Sequence, residues 1–436
     1  MRNALLVWLA ACSGPTVVVG DFEEVRVLKA IPNRDLDILF VVDNSPSMMD
    51  EQASLAQNFP RMMDVLSTLD DGLPNLHIGV VTSDLGTSSS LTAPGPSIGS
   101  GPGACEGWGD NGELVQSPSV TDRYISDISG ATGRIVNYTG ALRDAFASLA
   151  LVGDLGCGFE QHLRAMTRAL DDHPVNAGFL RPEANLAVVI LADEDDCSLA
   201  DSGMLAAFTG TLGSLASYRC FRFGVQCTPD DPLNPGARSG CTPRQQSQYV
   251  DDVSPFADFL VNLKGDPRNV MVAGVVGDPT PVGISMQQPP GGGSLEPTLD
   301  HSCTYTSPMG DLQVADPAVR LATFFDLFPG RSQLTSICNP DLSGALSDIG
   351  MTAKALMGDP CVDITQLADT SPDPGIQPAC EVVDIRDSAP DEHTAVPFEL
   401  VADAIACPTT PDHLRLQLHR TSAIFADTWT HFRCAR

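Results

Sequence analysis

The sequence predicts a doubly wound α/β domain with a mostly parallel sheet and long disulfide-bearing insertions, followed by a small β-rich C-terminal module. Near-continuous apolar runs recur between residues 34 and 357, and segments with helical spacing separate them. Apolar runs of this length are typical of strands buried on both faces. Because strands that alternate with helices form parallel sheets, the order of these segments indicates α/β architecture.

The first strand is predicted at 36–42, and an apolar stripe from Leu55 to Leu69 predicts the helix after it. Pro60 falls within this stripe and is expected to kink the helix or shift its start. Further strands are expected at 76–82, 186–192, 270–276 and 336–338, and further helices at 159–170, 318–328 and 341–357.

Three segments rich in Gly, Pro and Ser interrupt this pattern, at about residues 85–150, 198–250 and 279–305. Such composition predicts surface insertions. From residue 358 to 436 the pattern changes to short alternating segments with four cysteines and no helical period. We therefore expect the α/β domain over 34–357 and a small Cys-rich β module over 358–436.

The chain is strongly acidic, with 55 Asp and Glu against 25 Lys and Arg and a formal net charge of −30 over 436 residues. Such a surface repels phosphate backbones and anionic lipid headgroups, so nucleic acid is not an expected partner. An acidic surface also tolerates divalent cations, although an ordinary solvated exterior would have the same acidic composition.

Thirteen cysteines without any C-x-x-C pair favour an oxidising compartment over a zinc site or a cytosolic redox motif. The N-terminus agrees, because a short apolar run, Ala4–Ala11, follows Arg2 and is too short to span a membrane. No other stretch has the character of a transmembrane segment.

Leu9-Ala10-Ala11-Cys12 resembles the lipobox of bacterial lipoproteins, which implies a signal peptide over residues 1–12 and lipidation of Cys12. A plain signal peptide or a misplaced start codon are the alternatives. With Cys12 set aside, twelve cysteines remain and can form six disulfides. Residues 13–33 are then expected as a tether, and Ser13 implies sorting to the outer membrane.

A candidate metal site follows the first strand, in the segment Asp43-Asn44-Ser45-Pro46-Ser47. In an extended loop, positions i, i+2 and i+4 project to the same side, so one carboxylate and two hydroxyls converge. These hard oxygen ligands suit Mg²⁺, Mn²⁺ or Ca²⁺ and not zinc or copper. The alternative is that Asp43 and the serines cap the next helix.

Asp-x-Ser-x-Ser after an apolar strand resembles the metal-ion-dependent adhesion site of von Willebrand factor A domains, which have a Rossmann-like fold. The strand at 186–192 ends at Asp193, where that family supplies a further aspartate. The resemblance implies that Asp43, Ser45, Ser47 and Asp193 bind a divalent cation. It also implies that an acidic residue of a partner protein completes the coordination.

One ligand of that family is missing, because residues 152–158 contain no threonine or serine before the helix near Phe159. Asp154, Glu160 or water is expected in its place. A carboxylate there would add negative charge, favour calcium and weaken the attraction of the ion for an acidic partner.

Other motifs carry less weight. Gly95-Pro96-Ser97-Ile98-Gly99 matches G-x-S-x-G but lacks the strand-turn-helix context of a hydrolase, and no H-E-x-x-H is present. The acidic run Asp193 to Asp196 is expected as a solvated loop beyond Asp193, with a contribution of more than one metal ligand as the alternative. A disulfide between Cys157 and Cys197 is a hypothesis, local pairs Cys220–Cys227 and Cys407–Cys434 are plausible, and spacing leaves the connectivity open.

Together these features predict a non-enzymatic protein of the cell envelope that mediates metal-dependent protein–protein interaction. A structural envelope protein whose metal only stabilises the fold is the alternative. A hydrolase is a weaker one, because no nucleophile and base can be assembled from the sequence.

Overall fold

The structure is a computed structural model that describes residues 22–69, 72–288, 293–307, 310–358, 361–364, 379–404, 407, 410–421 and 424–435. The predicted signal peptide with Cys12, and the tether up to residue 21, lie outside the described residues. None of the helices in these ranges combines the length and the apolar character needed to cross a membrane.

Strands account for much of the described chain. In order they are β1 (Phe22–Lys29), β2 (Asp35–Val42), β3 (Asn75–Thr82), β4 (Ile125–Gly130), β5 (Gly133–Val136), β6 (Asn185–Ala192), β7 (Val225–Thr228), β8 (Gly236–Pro243), β9 (Val270–Val276), β10 (Val282–Gln287), β11 (Glu296–Leu299), β12 (Cys303–Thr306), β13 (Leu312–Ala315), β14 (Ser332–Ser336), β15 (Cys361–Val362), β16 (Cys380–Arg386), β17 (Ala389–Ala395), β18 (Phe398–Ala402), β19 (Leu414–Leu418) and β20 (Thr428–Ala435).

Helices lie between the strands of the chain up to residue 356. They are α1 (Met49–Leu66), α2 (Leu142–Ala150), α3 (His162–Leu170), α4 (Tyr218–Gly224), α5 (Ser254–Lys264), α6 (Val319–Asp326) and α7 (Ser343–Leu356). The chain divides into two compact units, one over residues 33–359 and one that joins the residues up to Pro32 with those from 360 onwards.

The larger unit contains a seven-stranded sheet in the order β14-β9-β6-β2-β3-β4-β5. The five strands from β14 to β3 are parallel, and β4 and β5 form an antiparallel hairpin at one edge. The chain enters at β2, moves outwards to β3 and β4, and returns to β6 on the other side of β2. This is a doubly wound order whose switch point lies between β2 and β6.

Apolar residues cover both faces of this sheet. Helices α1, α2 and α7 pack on one face, where Phe40 of β2 meets Phe59 and Phe146, while α3, α5 and α6 pack on the other. From Leu36 onwards every residue of β2 is buried, as is every residue of β6 and β9. The predicted doubly wound α/β fold is confirmed. Pro60 lies inside a single helix, α1.

The prediction of surface loop over 85–150 is wrong for its second half. Residues Ile125–Val136 form the edge hairpin β4–β5, and α2 follows it. The strands have no continuous apolar run because only alternate residues of β4 face the core and β5 is exposed. The helix is only nine residues long and buries Phe146 and Leu149.

The two later insertions also contain regular structure. Strands from both of them pair in one sheet, in the order β11-β10-β8-β7, and β12 and β13 form a separate hairpin. The sequence gives no sign of this pairing, since β8 is largely exposed.

The smaller unit is β-rich, as predicted, with sheets in the orders β1-β20-β16-β17 and β15-β19-β18. Strand β1 pairs antiparallel with β20, so the expected tether is wrong for residues 22–29. Leu28 is buried and Val25 packs against the same small core, which is the physical reason that this segment is a strand.

All twelve cysteines after Cys12 form disulfides. The pairs are Cys105–Cys157, Cys197–Cys220, Cys227–Cys241, Cys303–Cys338, Cys361–Cys407 and Cys380–Cys434. The expected number of six is confirmed, whereas the hypothesised pairs Cys157–Cys197, Cys220–Cys227 and Cys407–Cys434 are wrong. Each of these cysteines is closer to a partner contributed by another loop or strand.

We expect peptide mapping of the non-reduced protein to recover Cys157 linked to Cys105, and Cys197 linked to Cys220, because these Cα atoms lie 4.5 and 5.1 Å apart. The reduced and alkylated protein is the control. A peptide that links Cys157 to Cys197 would contradict the described arrangement.

Candidate metal centre

The predicted site lies at the switch point of the sheet. Val42, the last residue of β2, pairs with Thr82 on one side and Leu191 on the other. The N–H of Asp43 donates to the carbonyl of Leu191 at 3.0 Å, which extends the ladder by one residue. The loops after β2, β3 and β6 therefore leave the sheet side by side, at the edge where doubly wound proteins bind ligands.

Asp43 is fully buried and its two oxygens have different partners. Oδ1 accepts hydrogen bonds from the backbone N–H of Ser45 at 2.7 Å and from the Ser83 hydroxyl at 3.3 Å. Oδ2 lies 3.3 Å from Nε2 of His162, a buried residue at the start of α3. Burial disfavours the charged imidazole, but its contact with Asp43 outweighs this effect and raises the pKa of His162.

The two serines lie together beside Asp43, with their hydroxyl oxygens 3.2 Å apart. Ser45 is buried and Ser47 is exposed, so the pair spans from the interior to the surface. They do not cap α1, because that helix begins at Met49 and no side chain caps it. Instead Gln52 of α1 donates to the Asp43 carbonyl at 2.9 Å and holds the loop.

Asp193 completes the predicted set. It follows β6 and is 5% exposed, and the neighbouring Ser47 hydroxyl lowers its pKa. Among the described residues, its Oδ1 is a buried oxygen with no hydrogen-bond partner. Burial, and then the neighbouring Asp43, raise the pKa of Asp193 to about 8. The structure thus brings all four sequence-predicted ligands together.

Two further carboxylates approach this set. Glu160, two residues before α3, is buried, and burial together with Glu194, Asp43 and Asp193 raises its pKa. Glu194 is half-buried, and burial together with Asp316, Asp193 and Asp43 raises its pKa. An unpaired carboxylate held among like charges favours protonation or a bound cation.

The other acidic residues after Asp193 are satisfied by the protein, so the expected solvated loop is wrong. Asp195 accepts the backbone N–H groups of Arg320 and Leu321 at the start of α6. The fully buried Asp196 forms an ion pair with Arg320 at 2.9 Å. Both residues hold α6 against the loop after β6.

Sequence reasoning missed His162 and Gln52 as neighbours of Asp43. For Glu160 the sequence did carry a signal, because this residue lies between Cys157 and α3, in the loop where the missing hydroxyl ligand is expected. Asp154, the other carboxylate considered for the missing threonine, is only partly buried. Burial therefore distinguishes Glu160 from Asp154.

No group of three or more His, Cys, Asp or Glu side chains within the described ranges is arranged to hold a metal ion by itself. A site here would need the serine hydroxyls as ligands as well as the carboxylates. The donor set nevertheless fits a hard divalent cation, because it consists of oxygens and includes the unpartnered, buried Oδ1 of Asp193.

No protein-family model and no curated protein matches the chain. Among solved structures, it is similar to a von Willebrand factor type A protein from Catenulispora acidiphila, with 11% identity and a TM-score of 0.30 over 95% of this chain and 65% of that one. BatB, a conserved hypothetical protein from Bacteroides thetaiotaomicron, is similar with 9% identity and a TM-score of 0.27 over 74% of this chain and 98% of that one. The pilus adhesin RrgA from Streptococcus pneumoniae is similar with 11% identity and a TM-score of 0.28 over 95% of this chain and 57% of that one.

This chain therefore spans less than two thirds of the length of the Catenulispora protein and of the adhesin. TM-scores of this size do not establish a shared fold. The strand order and register of the chain's own sheet define its architecture.

The raised pKa of Asp193 predicts a pH dependence of stability without metal. The folded protein keeps a proton on this residue up to about pH 8, whereas the unfolded chain loses it near 3.8. Between these values the folded state binds more protons, so this residue's contribution to stability falls as pH rises. In EDTA, we expect the Tm of wild type to fall relative to that of Asp193→Asn from about pH 5 to pH 8.

Differential scanning calorimetry of wild type and Asp193→Asn at each pH measures the difference between their Tm values. Because both proteins share all other titratable groups, the contributions of those groups cancel in this difference. A Tm difference that stays constant across this range would show that Asp193 ionises normally in the folded protein.

Proposed function

We propose that the unit over residues 33–359 is a von Willebrand factor A-type interaction domain that binds a divalent cation and uses it to dock a protein partner. Asp43, Ser45, Ser47 and Asp193 are the proposed ligands for Mg²⁺, Mn²⁺ or Ca²⁺. The observation that carries this proposal is the buried, unpartnered Oδ1 of Asp193 beside Asp43 at the switch point.

A cation is the economical explanation of this arrangement. Burying an unpaired carboxylate costs several kcal/mol, and like charges nearby increase that cost. Arg320, which compensates Asp196, already makes its hydrogen bonds to Asp196 and to backbone carbonyls. A bound ion would supply the missing positive charge, and the hydroxyls of Ser45 and Ser47 would complete its oxygen shell.

Docking is supported by the surface beside the ligands. Ser47 is exposed, so a bound ion would be reachable from solvent. A cavity of about 840 Å³ opens next to Asp84 and Asp110, and Trp108 and Leu155 line it while 49% and 71% exposed. Exposed apolar side chains around a polar centre are typical of protein interaction sites.

We further propose that the protein is a lipoprotein of the outer membrane, anchored through Cys12. Its six disulfides indicate that the chain folds in an oxidising compartment, as exported proteins do. The lipobox-like segment before Cys12 supports the anchor.

Metal binding is tested by thermal unfolding with Mg²⁺, Mn²⁺ or Ca²⁺ in place of EDTA. We expect at least one ion to raise the Tm of wild type, because ligand at about 100 times its Kd stabilises by about 2.7 kcal/mol. The ion should leave the Tm of Asp43→Ala unchanged. Asp144→Asn, which removes an exposed carboxylate from α2, should respond like wild type. No response of wild type to any of the three ions would contradict the site.

Docking is separated from a purely stabilising role by Leu155→Asp, a change at the rim of the cavity. We expect wild type immobilised on a column to retain envelope proteins when metal is present and to release them in EDTA. The Leu155→Asp variant should lose this retention but keep the metal-dependent rise in Tm. Retention by wild type that is the same in metal and in EDTA would favour the stabilising role.

A further inference from the structure

The smaller unit contains a cavity of its own, with a volume of about 180 Å³. Its lining comes from β16 and β17, from the segments that follow β17 and β19, and from the start of β20. Every lining residue that the structure describes belongs to this unit. A cavity of this size suits a ligand with a single six-membered ring.

The charged groups in the described lining are two arginines and two carboxylates, and they are joined in pairs. Arg420 donates from Nε to Oδ2 of Asp384 at 2.8 Å and from Nη2 to Oδ1 at 3.1 Å. Nη2 of Arg386 donates to Oε2 of Glu392 at 2.8 Å. Asp427, which does not line the cavity, adds a further negative charge that interacts with Arg386. The lining therefore offers donors and acceptors together, and its own charges balance.

Apolar side chains form another part of the wall. Phe425 is 58% exposed, and the Cζ atom of Arg386 lies 4.8 Å from the centroid of its ring. Val396, Pro397 and Ile424 line the same cavity. An aromatic ring beside paired polar groups offers one ligand both an apolar face and hydrogen bonds.

Thr428, the first residue of β20, gives an independent indication of a missing partner. It lines the cavity and is 6% exposed, and its buried hydroxyl oxygen has no hydrogen-bond partner in the described chain. Buried hydroxyl groups nearly always have such a partner. A hydroxyl group of a bound ligand would supply it.

We propose that this cavity binds a neutral hexopyranose, either as a free sugar or as the end unit of a glycan. A sugar hydroxyl donates and accepts hydrogen bonds at once, so paired arginines and carboxylates satisfy both of its functions. The C–H groups on one face of the ring pack against Phe425. An anion would meet the two carboxylates, and a cation would meet the two arginines. This inference does not rest on the proposed metal site.

Ligand-observed NMR titration of the full chain in EDTA tests the ligand. The neutral probes are the methyl glycosides of glucose, galactose and mannose, and the charged probes are the corresponding uronates and 2-amino sugars. We expect at least one neutral glycoside to bind, and its two charged counterparts to bind about tenfold more weakly. No binding of any neutral glycoside, or a charged sugar that binds as tightly as its neutral counterpart, would overturn the proposal.

Phe425→Ala tests whether the sugar occupies this cavity. Because the variant removes the apolar face, we expect affinity for the neutral glycoside to fall about tenfold. Phe425 is largely exposed, so the Tm should change little. Phe208→Ala, which removes a phenylalanine that is 68% exposed in the larger unit, should bind like wild type. Unchanged affinity in Phe425→Ala would place the sugar elsewhere and contradict the assignment.

Glu392→Gln tests the balance of charge. The change keeps the size of the side chain and removes one negative charge, so the variant should bind the uronate more tightly than wild type does. Glu399→Gln, at another exposed glutamate of the same unit, should leave the affinity for the uronate unchanged. If both variants match wild type, the carboxylate of Glu392 does not face the ligand and the proposed recognition is wrong.

Thr428→Val tests the unpartnered hydroxyl. Because this group has no partner in the described chain, its removal should leave the Tm unchanged or raise it, while affinity for the neutral glycoside falls about fivefold. A lower Tm together with unchanged affinity would show that the hydroxyl serves the fold and not the ligand, which would contradict its assigned role.

Discussion

Burial of carboxylates at the carboxyl end of the central sheet is the constraint on which this site depends. The acidic run after β6 shows two ways of meeting it. Asp195 and Asp196 are compensated by the start of α6 and by the Arg320 side chain. Asp193 forms no ion pair with a lysine or arginine in the described chain, and its Oδ1 has no hydrogen-bond partner. Because an unpaired buried charge is costly, such a carboxylate either keeps a proton or binds a cation, and the proposed divalent ion is the second of these.

The surroundings of the site are organised before any ion binds. Strands β2 and β6 are buried along their whole register and position Asp43 and Asp193. Gln52 ties the Asp43 loop to Gly153 as well, since it donates to the Gly153 carbonyl at 2.8 Å. The Cys105–Cys157 disulfide restricts the loop before α3. A site whose loops are fixed in this way loses little conformational entropy on binding, which favours both affinity and selectivity.

The sequence was sufficient for the central strands, because long apolar runs identify buried strands, and for the positions of Asp43 and Asp193, which directly follow two of them. The sequence was insufficient to predict strands and helices that are only partly buried. Strand β5 is exposed and α2 is short, so neither has a strong period, and β1 pairs with β20 at the other end of the chain. The role of His162 depends on a contact with a loop more than one hundred residues away, which no local pattern encodes. Disulfide pairing has the same dependence on three-dimensional proximity.

The most direct test of the account is an anomalous difference map from crystals of the protein grown with Mn²⁺. The account predicts a peak within about 2.5 Å of the hydroxyl oxygens of Ser45 and Ser47, a usual range for oxygen ligands, with Asp43 and Asp193 around it. A map with no peak at this position, or with an ordered Mn²⁺ only elsewhere on the acidic surface, would contradict it.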